Sequence, residues 1–201
     1  MRIALCPGHH EDAKGAGNAK YDLNEYDEAN KLVPLIVTDL MAKGHTVSVF
    51  KGKLSEKVEQ INAGGFDLAI DLHFNADNDH TDPFDHDDSR GRGCMVMYCP
   101  GVLSRKYQAQ GISREISHAM GSENLGGRAG WYWGSGVEDG KPTKKDYFLE
   151  HTNCPAFILE PLYIDNNAEA ERWFLSTGQD RVLANAITEG VEFYTFLAEG
   201  V

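Results

Sequence analysis

Short apolar runs recur along the chain, separated by longer amphipathic segments. The apolar runs are "RIALC" (2–6), "HTVSVF" (45–50), "FDLAIDL" (66–72), "GCMVMYC" (93–99) and "CPAFILE" (154–160). Continuous apolar runs of this length, bounded by turn residues, are typical of strands that are buried on both faces. The pattern therefore predicts a sheet that is covered by other elements.

The segments between these runs carry apolar residues at helical spacing. The predicted helices cover 25–43, 55–63, 104–120, 167–175 and 179–198. Gly44 is expected to close the first helix, and Pro34 should kink that helix or move its start to near residue 33. Strands that alternate with helices predict an α/β fold: a single domain with a mostly parallel, twisted central sheet, covered by helices on both faces.

Two stretches do not fit this alternation and are predicted to be long loops, which are often functional in compact domains. Residues 77–88, "DNDHTDPFDHDD", hold six Asp and two His. They are interpreted as a solvated cover or as a calcium site, for which Asp77, Asp79 and Asp82 could supply oxygen ligands. Residues 121–146 are rich in Gly and Trp, most densely at 126–136.

Composition narrows the possible classes of function. The length of 201 residues fits one domain, and the net charge of -12 argues against a nucleic-acid partner. No stretch approaches the ~20 apolar residues of a membrane-spanning helix, so no membrane insertion is expected. The first apolar run is too short for the core of a signal peptide, which predicts synthesis in the cytoplasm without export by that route. The four cysteines show no zinc or disulfide spacing and are interpreted as reduced thiols.

Polar residues of metal-binding type follow three of the predicted strands. His9 and His10 come after the first, His73 after the third, and Glu160 directly after Leu159. Each histidine alone could be an ordinary surface or buried residue, whereas a carboxylate next to an apolar run is almost never buried without a partner. Because active sites in open α/β sheets lie at the carboxyl ends of strands, the sequence predicts one shared site there.

A fourth candidate ligand lies in the helix that follows the first loop. Glu25 and Glu28 are three residues apart and share one helix face, so spacing along the helix does not decide between them.

The order of these pieces carries a family resemblance. "PGH", Gly-Ala, a helix-leading Glu, "LHFNA", and "CPAFILE" before "NNAEA" resemble the zinc-dependent N-acetylmuramoyl-L-alanine amidases, the catalytic domains of phage endolysins and autolysins. The likeness extends from residue 3 to about 175. Two departures stand out: His10-Glu11 replaces the usual Gly-Gly, and Pro161-Leu162 replaces the usual Gly-Phe.

The resemblance implies a role for each candidate. His9, Glu25 and His73 match the family's ligands for Zn²⁺, and Glu160 matches its catalytic glutamate. The spacing to Gly44 in such enzymes favours Glu25 over Glu28. Two histidines and one carboxylate leave a fourth zinc position for water. No cysteine is expected to act as a nucleophile, because a thiolate needs an electropositive pocket and this chain is acidic.

The implied function is hydrolysis of the amide between N-acetylmuramic acid and L-alanine in peptidoglycan. Residues 1–201 would form one catalytic domain with no separate wall-binding domain, and the protein would act as a phage or prophage lysin on the bacterial wall after release. Two alternatives stay open. One is another zinc hydrolase, such as a carboxypeptidase-like enzyme, and the other is a wall-binding module without turnover.

Overall fold

The computed structural model describes residues 1–77, 91–138 and 141–199, with side chains for 1–77, 91–131 and 144–198. Its strands are β1 (Arg2–Pro7), β2 (Gly17–Asn18), β3 (Leu23–Asn24), β4 (Thr46–Val49), β5 (Leu68–Leu72), β6 (Cys94–Tyr98), β7 (Asn124–Ala129), β8 (Trp131–Glu138), β9 (Lys141–Lys145) and β10 (Ala156–Glu160). Its helices are α1 (Glu25–Ala42), α2 (Leu54–Gly64), α3 (Leu103–Met120), α4 (Tyr147–His151), α5 (Asn167–Ala170) and α6 (Gln179–Glu199), and a π-helical turn (Glu171–Leu175) follows α5.

Six strands form the central sheet in the order β4-β1-β5-β10-β6-β7. All neighbouring pairs are parallel except β10 with β6, which is antiparallel. Two small antiparallel sheets, β2-β3 and β8-β9, stand apart from it. The prediction of an α/β fold with a mostly parallel sheet is therefore confirmed.

Helices cover both faces of the sheet, and the layer that encloses more buried apolar side chains is called the thicker layer. Alternate strand residues such as Ile3 and Leu5 face a large core that includes side chains of α1, α3 and α6. Ala4, Cys6 and Ile158 face a smaller core, formed with α2 and α4. Because successive side chains of a strand point to opposite faces, Asp71 and Glu160 fall on the side of the smaller core.

Helix α1 begins at Glu25, as predicted, and Pro34 does not move its start. The Asn24 side chain caps the helix by accepting a hydrogen bond from the Asp27 amide at 2.9 Å. Gly44 follows the last turn with a φ of 91°, as expected for the residue that ends a helix. Within the described part of the chain, no helix has the length and apolar character needed to cross a membrane.

The prediction of one long loop over 121–146 was wrong, because β7, β8 and β9 lie within it. Strand β7 has the sequence "NLGGRA", which has weak strand propensity, and its pairing with β6 overrides that propensity. A Cβ atom at Gly127 would lie 3.0 Å from backbone atoms of α3, so glycine permits this close packing. The other predicted loop is the solvated cover or calcium site over 77–88. Most of it lies outside the described residues, which omit 78–90.

Candidate active site

The predicted site residues meet at the carboxyl edge of the sheet. β5 and β10 are parallel with Leu72 opposite Leu159, so His73 and Glu160 leave the sheet side by side. The His73 amide donates a hydrogen bond to the Leu159 carbonyl at 2.9 Å, and the Gly8 amide donates to the Leu72 carbonyl at 2.7 Å. The backbone thus holds the ends of three strands together.

His9, Glu25 and His73 form a compact cluster in which three side-chain atoms converge. Glu25 Oε2 lies 3.1 Å from His9 Nε2 and 3.1 Å from His73 Nδ1. All three ligand atoms lie within 4.8 Å of one another. Backbone amides fix the carboxylate, since Ala16 donates to Oε1 at 2.7 Å and Phe74 donates to Oε2 at 3.2 Å.

Glu28 does not join this cluster. Its carboxylate is buried, and it forms an ion pair with Lys31 at 2.6 Å. Of the two candidates in α1, the structure therefore brings only Glu25 to the histidines. His10, the other histidine of the first loop, lines the neighbouring cavity.

Tight backbone geometry surrounds the cluster. His9 has a φ of 60°, a left-handed conformation that is uncommon for residues other than glycine and that recurs at functional sites. Gly15 has a φ of 80°, and a Cβ atom there would lie 2.4 Å from the His9 ring and 2.7 Å from Glu25 Oε1. A glycine at this position is thus needed for the loop to close over the two side chains.

The donor set and two of its three ligand-atom separations fit a zinc ion. Two imidazoles and one carboxylate are ligands of the kind found in catalytic zinc sites. Zinc bonds of about 2.0–2.2 Å place the ligand atoms of a tetrahedral site about 3.3 Å apart. The 3.1 Å separations from Glu25 Oε2 are close to that spacing.

Electrostatics keep Glu25 ionised. Burial would raise the pKa of its carboxyl, but hydrogen bonds from His73 and His9 outweigh burial and lower the pKa to about 2. The pKa of His73 moves in the opposite direction. Burial would lower its pKa, yet the charges and hydrogen bonds of Asp71 and Glu25 raise the pKa well above the ordinary value.

Glu160 lies beside the cluster in a different environment. Its side chain is buried, and Oε2 has no hydrogen-bond partner among the described residues. Burial raises the pKa of this carboxyl to about 8; the charge of His73 opposes the rise, and those of Glu25 and Asp71 add to it. A cavity of about 380 Å³ borders Glu160. Its lining includes His9, His10, Lys57, Asp71, His73, Met97, Asp146, Phe148 and Ile158.

The buried cysteines offer no thiolate to this chemistry. All four are free, in keeping with the prediction of reduced thiols. Burial raises the pKa of Cys6 well above its usual range and that of Cys94 to about 12. Both thiols therefore stay protonated at neutral pH, a state that is a poor nucleophile.

A family model described as N-acetylmuramoyl-L-alanine amidase matches residues 3–192. The chain belongs to this family. The match includes the cluster, Glu160 and most of the sheet, so peptidoglycan amidase activity is supported for the chain as a whole. No curated protein matches it in sequence.

Solved amidases share the fold at low sequence identity. An N-acetylmuramoyl-L-alanine amidase from Clostridium difficile 630 is 17% identical with a TM-score of 0.78, over 100% of this chain and 98% of the other. The catalytic domain of CwlV from Bacillus (Paenibacillus) polymyxa is 17% identical with a TM-score of 0.76, over 96% and 97%. The catalytic domain of CD27L, an endolysin targeting Clostridia difficile, is 24% identical with a TM-score of 0.71, over 96% and 97%.

Two polar residues that line the candidate site were missed in the sequence. Asp71 lies inside the apolar run of β5, and Lys57 lies on α2, yet their side chains form a buried ion pair at 3.1 Å. Asp71 carried a usable signal, because a carboxylate in a strand that is buried on both faces needs a partner. Lys57 carried none, since a lysine in an amphipathic helix is usually exposed.

Proposed function

We propose that the chain is a zinc-dependent amidase that hydrolyses the bond between N-acetylmuramic acid and L-alanine in peptidoglycan. The observation that carries the proposal is the juxtaposition of a His-Glu-His cluster with a buried, unpartnered glutamate. His9, Glu25 and His73 present three converging ligand atoms, and Glu160 borders the adjoining cavity. Family membership supports the substrate and the reaction.

His9 Nε2, Glu25 Oε2 and His73 Nδ1 would hold the zinc ion. When bound, zinc supplies Lewis-acid chemistry, polarising a carbonyl and lowering the pKa of water toward ~7. The amides of Ala16 and Phe74 keep the Glu25 carboxylate in place.

Glu160 would carry the proton. Its free Oε2 has no competing hydrogen bond in the described chain, and burial raises its pKa toward neutral pH before the opposing charge of a bound cation is added. A general base with a pKa near the working pH both accepts and releases a proton readily. Glu160 would take a proton from the attacking water and deliver it to the nitrogen of the leaving L-alanine.

The cavity would orient the substrate and limit access of water. Met97, Phe148 and Ile158 supply apolar walls next to Glu160. Asp146 lines the same cavity, and its Oδ1 accepts a hydrogen bond from the Leu149 amide at 3.2 Å. Apolar walls around a carboxyl keep its pKa high, which suits the proton transfer assigned to Glu160.

Digestion of purified peptidoglycan tests this function. Chelator-treated protein should be inactive, and added zinc should restore turnover. An amidase releases new L-alanine amino groups without new reducing ends. Amino groups of another residue would indicate the alternative of a different zinc peptidase, and wall binding without any product would indicate a binding module. Full activity in metal-free protein would contradict the proposed role of zinc.

The biological setting stays a prediction. We propose a phage or prophage lysin, made in the cytoplasm, that reaches the wall when the membrane is permeabilised. Expression in a host whose wall the purified protein digests should cause lysis only after permeabilisation. Lysis without permeabilisation would instead indicate that the protein has its own route across the membrane.

A further inference from the structure

Lys57 is a buried cation that lines the active-site cavity. Its residue is 1% exposed, whereas lysines are almost never fully buried unless they are paired. The Nζ atom donates hydrogen bonds to the Pro7 carbonyl at 3.0 Å and to Asp71 Oδ1 at 3.1 Å. The reaction proposed above gives this ammonium no role.

Asp71 connects the Lys57 ammonium to a proposed metal ligand. Asp71 Oδ2 lies 3.2 Å from His73 Nε2, while Nδ1 of the same ring lies 3.1 Å from Glu25 Oε2. A carboxylate that accepts the Nε2 proton fixes the ring orientation and leaves Nδ1 facing the cluster. Lys57 in turn fixes Asp71, because its Nζ donates to Oδ1 at 3.1 Å and also to Oδ2 at 3.4 Å.

The second hydrogen bond of Lys57, to the Pro7 carbonyl, holds the backbone just before His9. Pro7 is the last residue of β1, and His9 follows it by two positions. One ammonium group from α2 is therefore bonded to the carboxylate that contacts His73 and to the backbone that leads to His9. These strand ends also bond directly, since the Gly8 amide donates to the Leu72 carbonyl.

We propose that Lys57 is a positioning residue that holds both histidines in the geometry for binding metal. It acts on His73 through Asp71 and on His9 through the Pro7 carbonyl. The proposal rests on the zinc site of the proposed function, but not on the identity of the substrate. A buried ion pair is by itself weak evidence for a gain in stability, so an effect on metal affinity is the distinguishing property.

Zinc affinity of the full chain, measured by competition with a chromophoric chelator, tests the proposal. Lys57→Met removes the ammonium and keeps a long side chain. We expect zinc to bind about 10-fold more weakly or worse, in the range typical for groups that orient metal ligands. Lys51→Met is the matched control at an exposed lysine and should stay within about 2-fold of wild type.

A second variant separates positioning from folding. Lys57→Met leaves Asp71 buried without its cation, which lowers stability, whereas Lys57→Met with Asp71→Asn removes both charges. The double variant should recover much of the Tm of the metal-free protein and still bind zinc at least about 10-fold more weakly. In the cobalt-substituted double variant, the visible absorption bands should shift from those of the wild type, because the imidazoles are no longer held.

The outcomes are distinguishable from those for the proposed function. If the double variant binds zinc within about 2-fold of wild type, the ion pair serves only stability and the proposal is wrong. A wild-type chain that binds zinc but leaves peptidoglycan intact contradicts the reaction and not the role of Lys57. A wild-type chain that binds no zinc overturns both.

Discussion

Glu25 and Glu160 lie at the same edge of the sheet, and both are almost fully buried, with exposures of 5% and 7%. Their pKa values nevertheless move in opposite directions, to about 2 for Glu25 and to about 8 for Glu160. Burial raises the pKa of each carboxyl. The difference comes from the hydrogen bonds of His9 and His73, which reach Glu25 and not Glu160.

Hydrogen-bond partners, rather than burial, therefore decide whether the pKa of a carboxyl group is lowered or raised at this site. A carboxylate that stays ionised and has two imidazoles beside it is suited to hold a cation. One with a free oxygen and a pKa near neutrality is suited to exchange protons. Two carboxyl groups with pKa values pushed apart are a common arrangement of acid-base sites. The following predictions test this division.

Glu25→Ala should have the largest effect. The variant loses one of three ligands and leaves His9 and His73 without the carboxylate between them. We expect zinc content and peptidoglycan hydrolysis to be lost together, measured by metal analysis of the dialysed protein and by release of amino groups. Stoichiometric zinc in this variant would remove Glu25 from the proposed ligand set.

Glu160→Gln should separate binding from turnover. Glutamine keeps the size of the side chain but exchanges no proton, so the variant should keep near-stoichiometric zinc. The rate should fall at least ~10²-fold, the scale of general acid-base catalysis. Loss of zinc along with activity would instead make Glu160 a ligand, and the contrast with Glu25 would disappear.

The same variant should change how stability depends on pH in metal-free protein. With its pKa raised to about 8, Glu160 stays protonated in the folded chain while the unfolded carboxyl ionises near ~4.3. Wild-type stability therefore falls as pH rises through this window, and a glutamine does not contribute to that fall.

Relative to wild type, Glu160→Gln should accordingly gain at least about 1 kcal/mol between pH 5 and pH 8.5, or about 2–4 °C in Tm for a chain of this size. Thermal melts of both proteins in chelator provide the measurement. A Tm difference that is the same at the two pH values would show that the Glu160 pKa is not raised.

Glu28→Gln should have the smallest effect. Glu28 is buried like Glu25 but pairs with Lys31, so the substitution changes an ion pair on the same helix without touching the cluster. Zinc content and activity should stay within a few-fold of wild type. Loss of metal here, with metal retained in Glu25→Ala, would exchange the roles of the two residues.

Much of the fold and of the site could be predicted because both follow local patterns. Apolar runs and helical spacing indicated the parallel strands and the helices, and strand ends indicated His9, His73 and Glu160. Strand β7 was missed because its glycines are explained only by packing against α3. The ion pair of Lys57 with Asp71 joins residues that are 14 positions apart, and no local sequence pattern predicts such a pair.

The unequal covering of the sheet places the cavity on the face with fewer buried apolar side chains. Asp71 and Glu160 project into the thinner layer, where α2 and α4 supply Lys57 and Phe148 to the cavity. The thicker layer of α1, α3 and α6 holds most of the apolar interior, away from the cavity. Substitutions at the cavity lining would therefore disturb fewer packed apolar side chains than substitutions on the other face, apart from those at the buried Lys57–Asp71 pair.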